Sequence, residues 1–318
     1  MNEFEIVEHY FKPKSLDVHQ ELKLGIGDDA AVIDVPKDQE LVVSIDTLVE
    51  GVHFLKGTSP KDIANKSLLV NLSDIAAMGA SPRWITLSLT LPKNDSNWLE
   101  EFSKKFNNLL KDYSLVLIGG DLTKGPLSIT IQAHGLVPKG KFLHRRGAKP
   151  GDSIYVTGEI GAAAYTLRFL KDSHENLKPT NKEIQRLNKP EPRIKTGLEL
   201  RGIATSCIDI SDGLFIDLSR ILSCSNVGAD VKLQDIPYSS TLKKLNKDLA
   251  IELALTGGDD YELCFTVPEN ISNIDLEKII TTSKFSKIGR INELSSKLNL
   301  IDNDEKLYKL KAKGFQHF

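Results

Sequence analysis

Carboxylates set beside glycine or serine recur along the chain. They read Gly-Ile-Gly-Asp-Asp (25–29), Ser-Ile-Asp-Thr (44–47), Asn-Leu-Ser-Asp (71–74), Gly-Gly-Asp (119–121), Ile-Asp-Ile-Ser-Asp-Gly (208–213) and Gly-Gly-Asp-Asp (257–260), with a Gly-Phe pair at 314–315. Glycine lets backbone approach a bulky anion closely, and carboxylates are preferred ligands of hard cations such as Mg2+. Together they point to a site that binds a polyphosphate through metal ions. Each string alone has a plainer explanation as an acidic turn or a helix start. The set is harder to dismiss, because Asp46, Asp121 and Asp209 each sit at or just beyond an apolar stretch that reads as a strand. Buried carboxylates are costly unless paired or metal-bound.

Two other strings imitate phosphate-binding loops and fail on context. Gly135 to Lys141 fits the first seven positions of a P-loop, but Phe142 stands where a Ser or Thr would hold Mg2+. No helix pattern follows it, so it reads as a strand-ending turn. Gly25-Ile-Gly27 is followed by two aspartates that would repel a bare pyrophosphate, and Ala31–Val35 reads as strand where a dinucleotide fingerprint needs helix. The seven histidines form no zinc pattern, and there is neither HExxH nor GxSxG.

The elements that must position the carboxylates can be read in outline. Residues 41–45 read as a strand ending at Asp46. Residues 60–78 read as a helix, with Ser59 as N-cap, Pro60 at the first position and Gly79 as the stop. On that helix Asn71 and Asp74 are three apart and share a face. A second helix over 95–112 carries Trp98, Leu99, Phe102, Phe106, Leu109 and Leu110 at core spacing. A buried strand over 115–118 delivers Gly119-Gly120-Asp121 at its end, and 127–137 alternates as a further strand. Gly, Pro and charged residues over 144–152 suit a domain connection. Beyond it, strands at 153–157, 206–210, 229–233, 262–267 and 285–291 are interleaved with helices from about 160 and at 193–201, 213–224, about 245–255 and about 272–282. The polar segment 173–192, with Pro179, Pro190 and Pro192, reads as a surface excursion. Asp74 precedes Asp121 by the same interval as Asp212 precedes Asp259, a faint echo between two halves.

Bulk properties exclude several classes. The chain has 318 residues, 40% apolar and 26% charged, with a net charge of −2. That length suits two domains, and the near-neutral balance gives no reason to expect nucleic acid or an anionic membrane as partner. A phosphate-handling protein of this charge must recruit positive charge locally, which again favours metal ions. Three cysteines without metal-ligand spacing suit a reducing compartment. The acidic N-terminus lacks the pattern of a signal peptide, and no apolar run is long enough to span a membrane. A cytoplasmic location is expected.

These motifs resemble those of the thiamine-monophosphate kinases, within a superfamily that includes aminoimidazole-ribonucleotide synthetase, selenophosphate synthetase and a hydrogenase maturation factor. The resemblance runs from about residue 23 to Phe318. It rests on Gly-Ile-Gly-Asp-Asp-Ala, Asp-Thr-Leu-Val-Glu-Gly-Val-His-Phe (46–54), Asn-Leu-Ser-Asp-Ile-Ala-Ala-Met-Gly-Ala (71–80), Gly-Gly-Asp (119–121), Gly-Ala-Lys-Pro-Gly-Asp (147–152), Ile-Asp-Ile-Ser-Asp-Gly-Leu (208–214) and Gly-Gly-Asp-Asp-Tyr-Glu-Leu (257–263). It implies an α+β fold of the aminoimidazole-ribonucleotide-synthetase type. An N-terminal domain over 1–146 would pair its sheet with a twin in a homodimer barrel, and a C-terminal α/β domain over 147–318 would close the site. It also implies transfer of the γ-phosphoryl of ATP to thiamine monophosphate, assisted by several Mg2+ ions.

Carried over residue by residue, the resemblance implies metal ligands at Asp29, Ser44, Ile45, Asp46, Asp74, Asp121, Asp209 and Asp212. Nucleotide contacts fall on Gly120, Asp121, Arg145 and Ser211, with Arg145 as phosphate clamp. His53, Asp259 and Phe315 match positions that hold the thiamine end, where an aromatic face suits a flat cationic ring. Asp46, Asp121 and Arg145 are the expected catalytic group. Two positions depart from the pattern. Ile45 stands where relatives often have Thr, so it can ligate only through its carbonyl. Asp259 stands where some relatives have Glu, a longer arm. Other members of the superfamily, a non-catalytic Mg-nucleotide or thiamine-phosphate binder, and a metal-dependent phosphatase are the rival readings.

Overall fold

The computed structural model describes residues 1–12, 20–172 and 177–311. Its packing divides the chain into two units, Met1–Ile75 with Ala80–Gly140, and Ala76–Gly79 with Lys141–Phe318. The division falls a few residues before the 146/147 boundary expected from composition.

The first unit runs α1 (Glu3–Ile6), β1 (Leu22–Leu24), β2 (Val32–Ile33), β3 (Gln39–Val49), α2 (Pro60–Ala77), β4 (Ser81–Leu91), α3 (Ser96–Asp112), β5 (Val116–Lys124) and β6 (Ser128–Pro138). Four strands form a sheet in the order β3-β6-β4-β5, with β1 and β2 as a separate hairpin. Register fixes what each face carries, because residues opposite one another share a face and neighbours along a strand alternate. Asp46 lies opposite Ile131, Ile131 opposite Leu87, and Leu87 opposite Gly120. This is the core face, where Leu48, Ile85, Leu87, Ile129, Ile131 and Ala133 are buried. Thr47, Thr130, Ser88 and Asp121 align on the other face, which is polar around them but carries exposed Leu41, Val43 and Ile45 on β3 and also buries Trp84, Val116 and Leu136.

Helix α2 follows its start signals, with Pro60 in the first turn and Asp62 N–H bonded to Ser59 Oγ at 3.2 Å. Ile63 through Ser73 are all buried, so the helix is enclosed rather than amphipathic. In α3, Asp95 caps the Trp98 N–H, and Trp98, Phe102 and Phe106 stack at centroid distances of 4.9 and 5.7 Å, a core row as expected. Two strand assignments shift. Asp46 lies within β3 rather than at its end, and Gly119–Asp121 lies inside β5 rather than beyond it. Strand β4 is an element that the motif reading left out.

The second unit runs β7 (Ser153–Thr157), α4 (Ala162–Lys171), α5 (Asn181–Asn188), α6 (Ile194–Glu199), β8 (Ser206–Asp209), α7 (Leu214–Ser225), β9 (Gly228–Lys232), α8 (Lys247–Thr256), β10 (Leu263–Val267), α9 (Asn273–Ile279), β11 (Phe285–Asn292) and β12 (Leu298–Ile301). Its six strands order as β12-β9-β11-β7-β10-β8, antiparallel except for the β12–β9 pair. All of β7 and β10 is buried, as central strands covered on both faces must be.

The polar segment 173–192 is not a simple surface excursion. It contains α5, which opens with a capping box between Thr180 and Glu183. Glu183 also accepts the Thr241 N–H at 2.9 Å and the Thr241 hydroxyl. Burial opposes its ionisation, but the hydrogen bonds from Thr241 and Thr180 outweigh it and bring its carboxyl down to about 2.

Candidate active site

In the first unit the site residues gather where β3 meets α2. Ser44 Oγ donates to Asp74 Oδ2 at 2.5 Å. The Asp46 N–H donates to Asn71 Oδ1 at 3.1 Å, while Asn71 Nδ2 donates to the Ser67 carbonyl at 2.9 Å. Asn71 is fully buried and uses both ends of its amide. It belongs to the ligand-bearing helix face seen in the sequence, but nothing there shows that it holds Asp46.

His53 lies just after β3. The Val49 N–H donates to His53 Nδ1 at 3.0 Å, so the neutral ring carries its proton on Nε2. Lys66, buried on α2, donates to the His53 carbonyl at 2.8 Å. Asp28 and Asp29 sit exposed on the β1–β2 connection, with the Asp29 N–H donating to Asp28 Oδ1 at 2.9 Å.

Asp121 does not join Asp46 within the sheet. The two stand on opposite edge strands and on opposite faces. Three strand spacings separate them, about 14 Å along the sheet. The Ile45 side chain is 58% exposed on the face away from Ser44 and Asp46. The Asp46 N–H points off the β3 edge to Asn71, so strand alternation turns the backbone groups of Ile45 toward β6.

In the second unit two loops meet because β8 pairs with β10. Asp209 is buried at the end of β8, opposite Leu263. After it, the Ser211 and Asp212 N–H groups both donate to Asp217 Oδ2 at 3.0 Å. Arg220 donates to Asp217 Oδ1 and Asp212 Oδ2, each at 2.6 Å. Burial pushes the Asp217 carboxyl up to about 6 against these hydrogen bonds. The Asp259 N–H donates to the Ser211 carbonyl at 2.9 Å, and the Tyr261 N–H to the Ile210 carbonyl at 2.8 Å. A Cβ on Gly258, at φ +68°, would lie 2.5 Å from the Ser211 oxygen, so only glycine allows the two loops this close.

Arg145 is exposed, and its carbonyl accepts from Ser225 Oγ at 3.3 Å. Ser225 Oγ in turn accepts the Gly147 and Ala148 N–H groups at 3.0 and 3.2 Å, which fixes the loop beneath the guanidinium. Asp217, Arg220 and Ser225 carry no motif signal, since their roles depend on partners brought close by folding. Phe315 lies outside the described residues.

The donors on β3 and α2 and those on the β8–α7 turn are hydroxyl and carboxylate oxygens, the set suited to Mg2+. Among the described residues no three His, Cys, Asp or Glu side chains group closely enough to form a metal cage.

Comparison with known proteins places the chain. Residues 27–137 match the family of AIR synthase related proteins by their N-terminal domain, and residues 149–296 by their C-terminal domain. Thiamine-monophosphate kinase of Buchnera aphidicola subsp. Schizaphis graminum (strain Sg) is 49% identical over 324 residues, covering 100% of this chain and 99% of its own. The chain belongs to the thiamine-monophosphate kinase family. Its fold is that of the crystal structure of thiamine-monophosphate kinase from Stenotrophomonas maltophilia K279a, at TM-score 0.82 and 41% identity over 91% of this chain and 93% of that one. AaThiL complexed with AMPPCP and TMP superposes with TM-score 0.77 at 31% identity, over 92% of each chain. The family's two-domain α+β architecture is the one expected from the motifs. No helix among the described residues is long and apolar enough to cross a membrane.

Proposed function

We propose that the protein transfers the γ-phosphoryl group of ATP to thiamine monophosphate, giving thiamine diphosphate and ADP. The observation that carries this is whole-length similarity to thiamine-monophosphate kinases, together with the complex of AaThiL with AMPPCP and TMP. The acceptor needs no general base, because a phosphate monoester with a second pKa of ~6 is already a nucleophile at neutral pH. The obstacle is bringing two polyanions together. Each unit-charge pair costs about 4 kcal/mol at ~4 Å and an effective dielectric of ~20.

Ser44, Asp46 and Asp74 in the first unit, with Asp29, Asp209, Asp212 and Asp121, would hold Mg2+, and Ile45 falls outside the set. Bound Mg2+ would neutralise the phosphate oxygens and align the in-line attack. The chain's own part is placement. Asn71 fixes the backbone at Asp46, Asp217 orders the Ser211–Asp212 turn, and Arg145 offers a two-pronged clamp for phosphate with Gly120 and Ser211 beside the nucleotide. His53 presents Nε2–H as a donor, which suits an anionic or lone-pair-bearing group of the acceptor. Asp259 suits its cationic part, and Phe315 its ring.

The edge strand supports a homodimer. Leu41, Val43 and Ile45 form an exposed apolar stripe on an edge strand, at 42, 48 and 58% exposure, a surface that a second copy would cover. If β5 of that copy meets this β3, its Asp121 stands on the neighbouring strand, closing the lateral separation found within one chain. The reaction is assigned to the cytoplasm, with no nucleic-acid or membrane partner.

Incubation with ATP, Mg2+ and thiamine monophosphate, followed by chromatography of the thiamine species, tests the assignment. Equal amounts of thiamine diphosphate and ADP are expected. ADP with free phosphate and unchanged thiamine monophosphate would move the protein to a phosphatase or to another reaction of the superfamily.

A further inference from the structure

The segment from Gly257 to Glu262 alternates between partly exposed and buried residues. Asp260 is buried, and both its oxygens accept the Gly161 N–H, at 2.9 and 3.0 Å. Glu262 is fully buried and accepts from Thr157 Oγ1 at 2.6 Å, Arg186 Nη2 at 2.5 Å, Arg193 Nε at 2.6 Å and Arg193 Nη2 at 2.7 Å. The residues between and before these anchors have left-handed backbone, Asp259 at φ +60° and Tyr261 at φ +51°. Two such non-glycine residues so close together carry strain that the surrounding structure must hold. The anchors hold it from one side, and the Asp259 and Tyr261 N–H bonds to the β8–α7 turn hold it from the other.

The strained backbone turns the side chains of Asp259 and Tyr261 away from the buried pair. The Tyr261 hydroxyl donates to Asp259 Oδ1 at 3.0 Å, and both residues remain partly exposed. A carboxylate on an aspartate's short arm rotates freely unless a donor fixes it. We propose that Tyr261 is a positioning residue for the phosphoryl acceptor. Its hydroxyl holds the Asp259 carboxylate in the orientation that receives the cationic, amine-bearing ring system of the acceptor. This rests on the reading that Asp259 contacts the acceptor. It explains why the loop keeps two left-handed residues, since that backbone is what sets the phenol and the carboxylate side by side.

Tyr261→Phe keeps the ring and removes one oxygen, leaving the anchors at Asp260 and Glu262 untouched. The experiment is a steady-state double-mutant cycle with Tyr261→Phe, Asp259→Asn and the double variant, each measured against thiamine monophosphate and against ATP. The expected result is a KM for thiamine monophosphate raised about 5- to 10-fold in Tyr261→Phe, the scale of one hydrogen bond, with kcat and the KM for ATP near wild type. Asp259→Asn raises the same KM at least as much, and adding Tyr261→Phe to it changes little further. An unchanged acceptor KM in Tyr261→Phe while Asp259→Asn raises it would overturn the role of Tyr261 alone. So would equal effects of Tyr261→Phe in both backgrounds. An unchanged acceptor KM in Asp259→Asn would instead remove the acceptor from this loop, and the proposal with it.

Discussion

The backbone N–H of Asp46 is held by the side chain of Asn71, with Asn71 Oδ1 3.1 Å away and the amide fully buried. A strand-edge group that would otherwise bond to water is thus tied to the helix that carries Asp74. Asn71→Ala leaves the Asp46 N–H without its partner and opens a small cavity. Urea unfolding is expected to show a loss of about 1–3 kcal/mol. An unchanged midpoint would mean that the clamp contributes nothing.

Asp46→Asn keeps the shape of the side chain and the Asn71 clamp. It removes a charge from the place where polyphosphate must be neutralised. Turnover is expected to fall by at least ~100-fold, the scale of losing one electrostatic stabiliser, with an unaltered thermal midpoint. Retained turnover at saturating Mg2+ would contradict the metal-holding role.

Asp46 and Asp121 lie at opposite sheet edges, so a dimer that joins them makes each site from two chains. Equal mixing of Asp46→Asn and Asp121→Asn protomers then gives hybrids with one site carrying both substitutions and one carrying neither. After exchange of subunits, about a quarter of wild-type turnover is expected from two inactive parents. No recovery, with hybrids demonstrated by mass, would place both residues in one chain's site. Light scattering that finds only monomers at micromolar concentration would remove the dimer itself.

What was legible in the sequence was local. The start of α2 at Pro60 and the core row of α3 follow from capping and periodicity, and both helices appear where those signals put them. The strand at 81–91 is written as plainly, with Leu87, Leu89 and Leu91 alternating with Ser88 and Thr90, yet motif-led reading passes over it. Asp46 and Gly119–Asp121 look like strand ends because polar residues interrupt apolar runs. In the structure the strands continue through them, Asp46 half-buried on an edge strand and Asp121 exposed on the polar part of the second face. The pairings of Asn71 with Asp46, Asp217 with Ser211 and Tyr261 with Asp259 are invisible in one dimension, because folding alone decides which backbone groups need a partner.

Glu183 gives a pH dependence with a definite sign. Its folded carboxyl lies at about 2, below the ordinary value of 4.5, so the group stabilises the fold fully above about pH 4.5. That contribution fades as pH falls from there toward 2. Glu183→Gln is expected to unfold at lower urea than wild type at pH 7, with the gap narrowing as pH drops below about 4.5. A gap that stays constant or widens would show that the Thr180 and Thr241 bonds do not favour the ionised form.

The central claim is direct transfer between two phosphates, and the most direct test follows the phosphorus atom. ATP labelled in its γ-phosphate is mixed with thiamine monophosphate, Mg2+ and enzyme in excess over ATP, and the products are separated after one turnover. The account predicts the label in the terminal phosphate of thiamine diphosphate, in amount equal to the ADP formed. Label released as inorganic phosphate, with thiamine monophosphate unconverted, would contradict it.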